Sequence, residues 1–143
     1  MIVWREQVRD EWIDYNGHLT DGYYSVIFGL ATDEVLDRIG LDSAYRDAND
    51  SAMYTVETHL RYLAEVPAGV EVEVRSSVIG STEKVLRLWH EMWLDDRLWA
   101  TAEVMEVHVT ARRASPYPAE LAARIAGEVV AAPEEAGGRI RDI

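Results

Sequence analysis

The hydrophobic pattern of this chain changes period, and that change constrains the fold more than any other feature. From Thr20 to Ile39, the residues Tyr23, Tyr24, Ile27, Phe28, Ala31, Val35 and Ile39 recur at three- and four-residue intervals. That spacing makes one apolar stripe on a helix of about five turns. Thr20 stands at the N-cap position with Asp21 in the first turn, and Gly40 stands where helices commonly stop. From residue 52 the period is two: "YTVETHLRYL" puts Val56, Thr58, Leu60 and Tyr62 on one face and Glu57, His59 and Arg61 on the other. A turn at "PAG" (67–69) leads into Val70–Ile79, "GST" (80–82) into "EKVLRLWHEMWL", and "DDR" into "LWATAEVMEVHVTA". These are four successive strands joined by hairpin-length turns, and "IVWREQV" at 2–8 is a short strand ahead of the helix.

A single strongly apolar helix followed by an antiparallel meander is an α+β layout. The helix stripe needs a surface, and a curved sheet wrapped around it supplies one. Such a sheet leaves an edge strand free to pair with a second copy of the chain. The 143 residues fit one domain, set here at 1–132, with 133–143 a mobile tail. Residues 41–50 read as a short helical or irregular connection, and Leu121, Ile125 and Val129 as one face of a short amphipathic helix.

Composition excludes several chemistries. With no Cys there are no disulfides, thiolate metal sites or Cys nucleophiles. A net charge of -12 argues against DNA or RNA, which need clustered Lys and Arg, while leaving room for a local basic patch that meets one phosphorylated small molecule. No stretch of about 18 apolar residues is present, and the N-terminus lacks the pattern of a signal peptide, so the expected location is cytoplasmic. No histidine pair has metal-ligand spacing and no Gly-rich phosphate loop occurs. The expectation is therefore no metal and no cofactor.

The segment "EWIDYNGHLTDGYY" (11–24) sets Asp14, Asn16, Gly17 and His18 just ahead of the helix start. The order of strand, "DYNGH" loop, apolar helix, "YTVETHLRYLAEVPAGVEVEV" and two long strands resembles the hotdog-fold acyl-CoA thioesterases over nearly the whole chain. The loop is similar to that family's Asp-x-Asn-x-His-x-Asn-Asn-x-x-Tyr pattern, with Thr20 and Asp21 in place of the paired asparagines. "ATDEVLDRIGLDSAYR" and "ASPYPAELAARI" look, more narrowly, like the thioesterases found beside or fused to carnitine dehydrogenases and assigned to betainyl-CoA.

The resemblance implies a homodimer or homotetramer that hydrolyses a small acyl-CoA, with catalytic sites between subunits and CoA as part of the substrate. A carboxylate can act as general base on water or attack the thioester itself, and unpaired amides at a helix start can hold the developing oxyanion. Asp14 is the candidate base or nucleophile; the alternative is a turn carboxylate that accepts backbone N–H bonds. Asn16 would orient water or thioester, or else support the turn at Gly17. His18 would bond the carbonyl oxygen or Asp14, or else be a packed histidine. Glu57 and His59 share a strand face and would enter from across a dimer interface; the alternative is a solvated strand face. Arg61, Arg75, Arg112 and Arg113 are candidates for the CoA phosphates. Five Trp residues suggest an aromatic cage for a quaternary ammonium, with Trp12, Tyr15, Tyr23 and Tyr24 beside the loop. Two other classes remain at this point: a non-catalytic hotdog module that binds an acyl thioester, and a hydratase on the same scaffold.

Overall fold

A computed structural model describes residues 1–142 of the protein. Strand β1 (Ile2–Gln7) is followed by a 3₁₀ turn at Asp10–Trp12, helix α1 (Asp21–Ile39) and the short helix α2 (Ser43–Asn49). Strands β2 (Ser51–Tyr62), β3 (Glu71–Ser81), β4 (Val85–Leu94) and β5 (Arg97–Thr110) come next, then β6 (Arg113–Ala114) and helix α3 (Ala119–Gly127).

The sheet is antiparallel in the order β1-β3-β4-β5-β2, with the short β6 pairing on β5. It curls around α1, which packs on β1, β3 and β4. The helix stripe is buried as the periodicity requires: Ile27, Ala31 and Val35 are wholly inaccessible, against Val72, Val74, Leu86, Leu88 and Met92 of the sheet. This is the expected α+β hotdog architecture.

Helix ends follow local chemistry. Gly40 closes α1 at φ 96°, a left-handed conformation in which its amide reaches the carbonyls of Asp37 and Leu36. Thr20 holds the N-cap position as expected, but its side chain makes no capping bond. The carboxylate of Asp21 instead accepts from the Gly22 amide at 2.8 Å. Helix α2 is capped by Asp42, which accepts from the Tyr45 amide.

Three strands depart from the simple alternation, β3 at Ile79, β5 at Trp99 and β2 beside the second half of β5. The register of β2 against β5 shifts between Thr55 and Glu57, so Val56 is the extra residue of a β-bulge. Met53 and Thr55 before the bulge therefore share the inner side with Thr58 and Leu60 after it, and Val56 is 57% exposed instead of sharing their face. The two-residue hairpins of β4–β5 (Asp95, Asp96) and β5–β6 (Ala111, Arg112) hold all four residues at φ of 49–65°. Those are primed turns, normally built on Asn and Gly.

Past α3, which ends before Val129, the chain crosses the sheet's outer face. The Val130 amide donates to the Val78 carbonyl, and the Gly137 amide to the Glu103 carboxylate at 2.6 Å. Of the segment expected to be a tail, residue 143 lies outside the described residues.

Candidate active site

The "DYNGH" loop is a tight turn. Asp14 and His18 are joined by an amide-to-carbonyl bond of 2.9 Å, the Gly17 amide reaches the Asp14 carbonyl, and Gly17 takes φ 79°. The Asn16 amide donates to Asp14 Oδ1 at 2.8 Å, an Asx turn that fixes the carboxyl group. Asp14 Oδ2 has no hydrogen-bond partner among the described residues. The loop is tied to the sheet by the Leu19 amide on the Val66 carbonyl and to the 3₁₀ turn by the Thr20 amide on the Trp12 carbonyl.

Asp14, Asn16 and His18 line an open cleft of about 400 Å³ together with Asp21 and Tyr24 of α1 and Tyr62 at the end of β2. The structure thus brings the loop carboxylate, the amide side chain and the imidazole to the start of α1. His18 is part-exposed; its Nδ1 has no hydrogen-bond partner among the described residues and lies 3.6 Å from the Glu65 carboxylate. The Tyr24 hydroxyl bridges, donating to the Ala64 carbonyl and accepting from the Val66 amide, and its ring meets Tyr62 edge-on at 5.0 Å. Tyr62 donates to the Asp21 carbonyl at 3.2 Å. Burial raises the pKa of both phenols above the usual value, for Tyr24 against the opposing pull of the Val66 amide and for Tyr62 with help from the charge of Asp21.

The remaining candidates do not gather there. Glu57 and His59 line a separate recess on the outer sheet face with Arg87, Glu103 and Gly137, because the face opposite α1 is where their side of β2 points. Trp12 is 5% exposed and stacks on Tyr23 at 5.6 Å beneath the Arg9 guanidinium, so it is part of the core. Tyr15 is 97% exposed at the turn tip. Trp89 and Trp93 lie on the outer face, where both indoles donate to Glu91. These aromatics form no common box.

The four arginines are likewise dispersed. Arg75 is held by Glu73 at 2.7 Å and stacks over Trp93 at 4.5 Å. Arg61 lies near one end of β2, while Arg112 and Arg113 lie in the β5–β6 hairpin beside the other end, where the Ala111 amide bonds the Asp50 carbonyl.

A second cleft, about 520 Å³, follows the first along the seam of α1 with β2 and β5, because the helix covers β1, β3 and β4 and leaves the inner side of β5 and β2 open. Phe28, Thr32 and Asp33 face Met53, Thr55, Leu60 and Glu106 across it. Sequence reading did not single out Glu106. Its signal is position: residues 100, 102, 104, 106 and 108 share the inner face of β5, where Ala100, Ala102 and Val104 precede an acid. Tyr62 and Glu65 were also missed, since nothing in the sequence shows which residues the loop will meet.

Residues 8–125 match the model of the thioesterase-like superfamily. The betainyl-CoA thioesterase of Pseudomonas aeruginosa is 39% identical over 129 residues, which cover 87% of this chain and 81% of that protein. The L-carnitine dehydrogenase/betainyl-CoA thioesterase of Agrobacterium fabrum is 43% identical over 143 residues, 95% of this chain; this chain spans only 29% of that longer protein. Among solved structures, a Staphylococcus aureus protein in complex with CoA superposes with a TM-score of 0.89 at 26% identity, covering 99% of this chain and 94% of that one. A curled sheet of this topology around an enclosed helix, together with these relatives, identifies the family: the chain belongs to the thioesterase-like superfamily, with the hotdog fold and acyl-CoA thioester hydrolysis as its activity.

Proposed function

We propose that the substrate is a small acyl-CoA of the betainyl type and that Asp14 is the catalytic carboxylate. The observation that supports this reading is the anchoring of Asp14: one oxygen is held by the Asn16 amide and the other is left unpartnered in a cleft at the start of α1. A carboxylate so fixed can take a proton from water, or attack the thioester carbonyl to give an acyl anhydride that water then opens, while thiolate leaves. The Gly22 amide at the start of α1 is occupied by the Asp21 carboxylate at 2.8 Å and would serve the carbonyl oxygen only once that carboxylate swings away. Asn16 and His18 line the same cleft and orient the thioester.

The protein acts as a homodimer or homotetramer. Edge strand β2 is unpaired along its outer side, and Val26, Tyr54, Val56, Tyr62 and Leu63 are 42–57% exposed around it. A two-fold axis pairing β2 with its copy is antiparallel, so the Tyr62 end of one strand lies against the Ser51 end of the other. The loop cleft of one protomer then faces the second cleft of its partner, and Arg112 and Arg113, beside the Ser51 end, approach the site as the groups for CoA phosphates. Cytoplasmic location and a reaction that needs no cofactor complete the reading.

The experiment is thiol release from betainyl-, acetyl-, straight-chain and aromatic acyl-CoA, followed with the enoyl chromophore. Betainyl-CoA should be turned over fastest, with no enoyl signal; a change in that signal without free thiol would favour a hydratase, and no thiol from any substrate a binding module. Asp14→Asn and Asp14→Ala should each lower kcat by at least about 10²-fold with the fold retained. Near-normal turnover in both would remove Asp14 from the mechanism.

A further inference from the structure

The cleft of about 520 Å³ beside α1 carries an unusual charge pattern. Among the described residues, two ionisable ones line it, Asp33 and Glu106, and both are acids. Glu106 is 2% exposed on the otherwise apolar inner face of β5. Thr55 donates to its Oε1 at 2.5 Å, across the strand pair and next to the Val56 bulge. Its Oε2 has no hydrogen-bond partner among the described residues, and neither Glu106 nor Asp33 takes part in any of the described ion pairs. Burying a carboxylate without a cation is costly, and here burial raises the Glu106 pKa, with the Asp33 charge adding to it against the Thr55 bond. A group kept at such cost in a cleft of ligand size is suited to a charge that arrives with the ligand.

We propose that Glu106, oriented by Thr55 and supported by Asp33 at the rim, is the counter-charge that selects a cationic acyl group, a quaternary ammonium, on the CoA thioester. The clause about CoA rests on the thioesterase reading above; the charge preference does not. A quaternary ammonium donates no conventional hydrogen bond, so it needs an apolar wall and a nearby negative charge instead of a ring of acceptors. Phe28, Leu60 and Val104 supply the wall and Glu106 the charge. The same cleft repels an anionic acyl group. This assigns cation selection to a carboxylate on β5, in place of the aromatic box that the tryptophans suggested.

The test uses two thioether analogues of CoA that cannot be hydrolysed: S-(2-trimethylammonioethyl)-CoA and its carbon isostere S-(3,3-dimethylbutyl)-CoA, titrated calorimetrically into the full chain. The wild-type protein should bind the cation at least about ten-fold more tightly than the isostere. Glu106→Gln keeps the size of the side chain and an acceptor for Thr55, and should bring the two affinities within about two-fold by weakening only the cationic analogue. Equal affinities in the wild type, absence of binding to both, or a preference that survives in Glu106→Gln would each overturn the proposal. The wild-type comparison decides even if the variant does not fold. Thiol release from betainyl-CoA, measured in parallel, separates the two readings. A cation preference without turnover leaves this inference standing and ends the thioesterase reading, and turnover without a cation preference does the reverse.

Discussion

His90 is wholly buried on β4, with Thr32 Oγ1 3.0 Å from one ring nitrogen and Ser76 Oγ 2.7 Å from the other. Burial lowers its pKa to about 4, because the charged ring would lose its water. The folded value lies below the unfolded one, so the stabilisation is fully present above about 6.5 and is lost as pH falls toward 4, on the order of 3 kcal/mol in all. Urea titrations across that range should show the loss in the wild type and a flatter profile in His90→Gln. Glu106 has the opposite sign: its raised pKa makes its contribution full below the unfolded value and lost as pH rises through the folded one. Tyr24 gives a prediction without titration. Tyr24→Phe strands the Val66 amide in the core and should cost about 1–3 kcal/mol by urea denaturation. The grouping of Asp14, Asn16 and His18 in one cleft was legible because they lie in a single short segment that precedes a strong helix signal. The aromatic box was not, since indoles satisfy equally well a core stack, as Trp12 does on Tyr23, or a carboxylate on the outer face, as Trp89 and Trp93 do with Glu91.

Among the elements, α1 was read nearly residue for residue, because its stripe and its Gly40 stop are local signals that packing reinforced. Gly40→Ala should test how much that stop contributes. The added Cβ would stand 2.9 Å from the Arg124 guanidinium in a left-handed backbone, so we expect a loss of about 1–2 kcal/mol, seen as a fall of several degrees in Tm. Strand β2 was legible as a strand but not in register. A bulge depends on the partner strand, and Val56 in "YTVETHLRYL" carries nothing that marks it as the extra residue. That one insertion decides that Thr55, not Val56, meets Glu106. Helix α3 stops about half a turn before its apolar spacing suggested, since Val129 lies beyond Gly127 and is exposed.

At the scale of the whole molecule, the open edge of β2 and the apolar residues around it are the surface on which the proposed assembly rests. Tyr54→Lys with Val56→Lys places two charges on that edge, the means by which natural edge strands discourage pairing. On the proposed assembly, light scattering should show a shift to monomer, with turnover per chain falling at least about ten-fold while circular dichroism is kept. The sequence showed that an edge would be free without showing which one, as strand order arises from long-range pairing. Far from that edge's centre, the primed hairpins hold Asp95, Asp96, Ala111 and Arg112 in backbone conformations that suit Asn and Gly better. The Asp95-Asp96 turn therefore retains unrealised stability of about 1 kcal/mol that Asn-Gly would release without touching either cleft or the arginines proposed for CoA. The scaffold has headroom for remodelling: a variant whose acyl pocket is rebuilt for another cargo, at some loss of robustness, could be rescued from a loop that takes no part in choosing it.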